Sequence, residues 1–86
     1  MNFQLSKHAS ERIASRNIPE QFVQQLLTNP QQIIDEAKNK QIYQSPFQFP
    51  NGRTYLLRAI VYISTHPAIV ASIYKTNQIK RYWNSE

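Results

Sequence analysis

Three basic side chains stand at regular intervals near the start of the chain: His8, Arg12 and Arg16. On a helix, i, i+4 and i+8 lie along one side with slow drift. An imidazole exchanges protons near neutral pH, and a guanidinium grips a phosphate with two parallel hydrogen bonds. The set therefore suits phosphoryl transfer on RNA, or else a plain solvated helix face. Arg58 sits among apolar neighbours, where a charge is costly unless it reaches solvent or a partner. Lys75 ends an apolar strand face, where its stem can cover hydrophobic surface and its amine emerge at the margin. Lys80-Arg81-Tyr82-Trp83 offers base stacking beside two cations, although Trp83 also suits a cap on a small core. His66 can be paired with His8 as base and acid, but a histidine before Pro67 in a turn reads more simply as solvated.

Composition narrows the chemistry. The 86 residues hold 10 Lys+Arg against 5 Asp+Glu, a formal net charge of +5 that favours a polyanionic partner. With 41% hydrophobic and only 17% charged residues, the chain is too apolar for a disordered one. No cysteine is present, which removes disulfides, thiolate metal sites and a thiol nucleophile. Two histidines without metal-ligand spacing and five scattered carboxylates give no metal site, glycosidase pair or protease triad. With one glycine there is no Gly-rich phosphate loop. No cofactor is expected. No apolar run reaches the ~18 residues of a membrane span, and the N-terminus lacks a signal-peptide pattern, so a cytoplasmic protein is expected.

The elements that must position these groups can be read from periodicity. Phe3 and Leu5 alternate with polar residues as a short strand. Ser6 is the N-cap of a helix over Lys7–Arg16, broken by Asn17-Ile18-Pro19. Pro19 opens a second helix with Phe22, Val23, Leu26 and Leu27 on one face, ended by Asn29-Pro30. The period then becomes two: strands over 32–37, 42–49, 54–64 and 68–76. Pro46 argues for an edge or bulge in the second of these, and Asn51-Gly52 marks a hairpin. Strict alternation puts Ile69, Ala71, Ile73 and Lys75 on one face of the last strand. Phe22, Leu26, Leu57, Val61, Ile69 and Ile73 are then expected to be buried together. The result is a single α+β domain over residues 1–86, with two helices packed on one face of an antiparallel sheet of about four strands. The other face, with Arg58, Tyr62, Ser72 and Tyr74, is expected to be open, as a platform for RNA.

His8-Ala9-Ser10-Glu11-Arg12, followed by Arg16-Asn17-Ile18-Pro19, resembles the opening of a small bacterial domain family of uncharacterised function. Val70-Ala71-Ser72-Ile73-Tyr74-Lys75 and the closing Tyr82-Trp83 resemble that family's last segment. The family in turn is similar to the RelE/ParE/BrnT toxin superfamily. The resemblance implies a RelE-like fold and a metal-independent endoribonuclease of a type II toxin-antitoxin system, on or off the ribosome and controlled by a small cognate antitoxin. In such cleavage a ribose 2′-hydroxyl attacks the adjacent phosphate, which needs a base, an acid and charge stabilisation. Carried onto this sequence, the resemblance makes His8 the base or acid and Arg12, Arg58 and Lys75 the phosphate stabilisers. Tyr74 becomes a second proton donor or a stacking residue. Arg16, Tyr62, Tyr74, Lys80, Arg81 and Tyr82 complete the expected RNA contacts. The alternative is a non-catalytic module of the same fold that binds nucleic acid or protein through the same groups. The sequence leaves the oligomeric state open.

Overall fold

Turn and cap chemistry sets the element boundaries. In the computed structural model, which describes residues 2–85, the chain forms β1 (Phe3–Leu5), α1 (Lys7–Ser15) and α2 (Glu20–Thr28). It continues through β2 (Gln32–Ala37), β3 (Lys40–Gln48), β4 (Thr54–Tyr62), β5 (Ala68–Thr76) and the single turn α3 (Ile79–Tyr82). Ser6 is the N-cap of α1, its Oγ accepting from Ala9 N–H at 3.0 Å. The helix ends one residue before the expected Arg16. Asn17 is left-handed (φ 52°), and Ile18 N–H reaches back to the Ile13 carbonyl at 3.0 Å. That is a Schellman termination with Asn in the place usually held by glycine, closed by the buried Ile18. Pro19 is the N-cap of α2. At the β3–β4 hairpin the one glycine, Gly52, takes φ 84°, and Asn51 Oδ1 accepts from Arg53 N–H at 2.9 Å.

The sheet order is β1-β5-β4-β3-β2. β2 to β5 form the expected antiparallel meander, but β1 adds a fifth strand, parallel to β5 through Phe3↔Ala68 and Leu5↔Val70. The sheet is therefore mixed. Pro46 is tolerated because β2 stops opposite Gln44, so one side of β3 has no strand neighbour at Pro46. Both helices cover one face, α1 over β5 and β1, α2 over β3 and β4. Ala9, Ile18, Val23 and Leu26 pack there against Tyr43, Leu57, Ala59, Val61, Val70 and Ile73, with Phe22 half-buried beside them. Among the described residues no helix is long and apolar enough to cross a membrane.

Strict alternation fails in β5. The register passes from Ile60↔Ser72 to Val61↔Val70, leaving Ala71 as the extra residue of a β-bulge. The bulge moves Ala68 and Val70 onto the core face with Ile73, and displaces Ile69, which is only half-buried. The expected burial of Ile69 is corrected accordingly. Ser6 braces the irregularity: its Oγ donates to the Ala71 carbonyl at 2.9 Å and its N–H to the Val70 carbonyl at 3.0 Å.

Candidate nucleic-acid interface

The cations named above fall into three separate places. Arg58 lies at the middle of β4 on the face away from the helices, directly opposite Gln44 on β3 and Tyr74 on β5. Its Nε donates to Gln44 Oε1 at 2.9 Å and its Nη1 to the Tyr74 hydroxyl at 2.5 Å. The guanidinium lies 4.2 Å from the ring centre of Tyr82, in cation–π contact, and that of Arg81 lies 5.4 Å from the same ring. Gln44 is fully buried, donating to Gln32 Oε1 at 2.7 Å and to the Tyr82 carbonyl at 3.0 Å. This face is thus not open as expected at its centre: residues 82–84 lie across it.

The electrostatics of this cluster are one-sided. Among the described residues the one ion pair is Lys40–Glu36, 2.7 Å apart beside the β2–β3 turn. Arg58 is half-buried, faces no carboxylate, and keeps Nη2 without a hydrogen-bond partner among the described residues. Desolvating a charge without an opposite one is costly, and an anion at Nη2 removes that cost. Lys80 and Arg81 are exposed on the same tail; Arg81 Nη1 donates to Gln78 Oε1 at 3.2 Å. Tyr62 shares the Arg58 face but sits four residues along β4, about 13 Å away, and is exposed.

The helix stripe is elsewhere. His8, Arg12 and Arg16, with Glu11 and Ser15, line a shallow depression of about 490 Å³ on α1, the helix that covers the opposite sheet face. His8 and Arg16 are exposed and Arg12 is half-buried. Lys75 lies in a third setting. It pairs with the buried Leu57 and so points to the helix side of the sheet. There its ammonium sits 4.5 Å from the ring centre of Phe49 and 4.6 Å from that of Tyr55. The four residues expected to form one catalytic group are therefore not brought together: Arg58 is on one face, Lys75 on the other, and His8 and Arg12 on the outer layer. His66 does not join His8 either. It lines a separate cleft of about 640 Å³ with Asn2, Tyr43, Ile63, Thr65 and Pro67, at the cis His66–Pro67 bond.

Gln44 and Gln32 were not singled out by sequence reasoning. A glutamine at an in-register position beside a mid-strand arginine is the signal that was available. Its use depends on strand register, which the sequence does not print. Among the described residues no group of three or more His, Asp or Glu could hold a metal ion.

Comparison with known proteins gives a family and no further relative. Residues 5–75 match the family model DUF4258, described as a domain of unknown function. No curated protein and no solved structure matches the chain.

Proposed function

The chain belongs to the DUF4258 family, and we propose that it is a domain that binds single-stranded RNA through the Arg58 cluster. One observation carries this reading: Arg58 and Arg81 flank the ring of Tyr82, and among the described residues no carboxylate is opposed to Arg58. A phosphate accepts a charge-assisted bond from the Nη2 of such a guanidinium, and the guanidinium plane, covered here by the Tyr82 ring, stacks a base. Lys80 lies in the same turn and adds charge along the strand. The reading is tested by anisotropy of a labelled mixed-sequence single-stranded RNA, in chelator, from low to physiological salt. Log affinity falls linearly with log salt by about 0.7 per phosphate contacted. Arg58→Gln weakens binding at least tenfold. Affinity that is flat with salt, or equal in Arg58→Gln, overturns the reading.

A second reading, cleavage by a RelE-like toxin, is favoured by the Arg58–Tyr74 bond. A phenol held by a guanidinium can give its proton to a leaving 5′ oxygen while the cation stabilises the crowded phosphate. In this reading a small antitoxin covers the basic face. Chelator-resistant cleavage lost in Tyr74→Phe supports it; RNA bound and left intact, with or without ribosomes, removes it.

A further inference from the structure

The chain's own C-terminal residues are held on the sheet as a bound ligand is held. Gln32 Nε2 donates to the Asn84 carbonyl at 2.6 Å, and Gln32 Oε1 accepts from Asn84 N–H at 3.1 Å. A side-chain amide thus supplies the two-point grip that a neighbouring strand normally gives. Gln44 adds the third bond, to the Tyr82 carbonyl. The direction of this relay is dictated from one end. Arg58 can only donate, so Gln44 must turn Oε1 toward it and Nε2 away. Nε2 then needs acceptors, and finds Gln32 Oε1 and the Tyr82 carbonyl. Gln32 is left with Nε2 aimed at Asn84. The tail does little to hold itself: α3 is a single turn with no buried residue and no side-chain cap.

We propose that residues 79–84 are a strap that occupies Arg58 in place of RNA and is lifted when RNA binds. This rests on the RNA reading above. The Tyr82 ring on the guanidinium has the placement of a stacked base, so strap and nucleotide compete for one surface. Lys80 and Arg81 remain tethered beside the site when the strap lifts, and follow the phosphates. A closed strap lowers the apparent affinity by the fraction of molecules that are open. Loosening it therefore tightens binding, the reverse of what loss of a contact residue does.

Two substitutions loosen the strap without touching a charge. Gln32→Leu removes both bonds to Asn84 and the one that Gln32 accepts from Gln44, whose Nε2 keeps the Tyr82 carbonyl. Asn84→Pro removes the N–H that Gln32 accepts, together with the Asn84 side chain, and Trp83 already has the extended backbone (φ −71°, ψ 128°) that a residue before proline requires. The readouts are RNA anisotropy and the emission of Trp83, the one tryptophan. Both variants bind RNA at least about threefold more tightly than the wild type, the effect of losing about one net hydrogen bond from the strap. Saturating RNA shifts Trp83 emission to the red in the wild type. In free Gln32→Leu the shift is already present. Equal or weaker binding by both variants, with Arg58→Gln still defective, overturns the strap and leaves the RNA reading standing. No binding by the wild type or either variant overturns both.

Discussion

Arg58 and Lys75 stand on adjacent strands one position out of register, and so on opposite faces of the sheet. Arg58 pairs with Tyr74, while Lys75 pairs with Leu57. One cation faces the tail and, among the described residues, lacks a counter-charge; the other is held between two rings that join the β3–β4 hairpin to the end of β5. Substitution should separate them. Lys75→Ala destabilises the fold by about 1–2 kcal/mol, from two cation–π contacts and lost stem packing, and changes RNA affinity less than twofold. Arg58→Gln does the reverse. Urea unfolding and RNA titration of both variants check this; a loss of RNA binding in Lys75→Ala contradicts the placement.

His8 is exposed on α1, away from the Arg58 cluster. His8→Ala is therefore expected to leave RNA affinity unchanged, and any cleavage rate as well. A general base or acid at this position would instead show a fall of ~10²–10⁴ in rate with affinity retained. Single-turnover cleavage and anisotropy on one RNA decide between the two.

Ser6 does two things with one hydroxyl, capping α1 through Ala9 N–H and satisfying the Ala71 carbonyl at the bulge. Ser6→Ala loses both bonds and should cost about 1–3 kcal/mol, more than an isolated cap. Ser6→Thr keeps the oxygen and recovers most of it. Denaturant midpoints at unchanged slope are the measurement.

Two groups hold their protons more tightly in the folded chain than when free. Burial raises the Tyr43 phenol above its ordinary value of 10.0. The Glu36 carboxylate, by hydrogen bond and by charge, raises Lys40 above 10.5. In both cases the native state holds a proton that the unfolded state gives up, so stability is unaffected below about pH 10 and falls as pH rises beyond it. Tyr43→Phe flattens that decline above pH 10 and leaves stability near pH 7 with the same pH dependence. An equally steep decline in Tyr43→Phe excludes Tyr43 as its source.

Much of this architecture is local and so legible in the residues. Ser6 before an apolar-periodic run, Asn17-Ile18-Pro19 and Asn51-Gly52 each fix backbone angles within four residues, and the helices and hairpin fall where they point. The α2 stripe buries Val23 and Leu26 as its spacing requires. What periodicity could not carry is anything that depends on a neighbour distant in sequence. The bulge at Ala71 answers to β4 and Ser6, not to its own strand, and one extra residue was enough to move Ile69 out of the core and Val70 into it. The site shows the same division. Residue type alone singles out Arg58, Tyr74 and Tyr82 as groups able to hold a nucleotide. Only tertiary structure decides that Gln44 and Gln32 orient them, that the tail lies on Arg58, and that Lys75 and His8 belong elsewhere. The reason is physical: a strand's faces are set by its own alternation, but which faces meet is set by register, bulges and chain crossings.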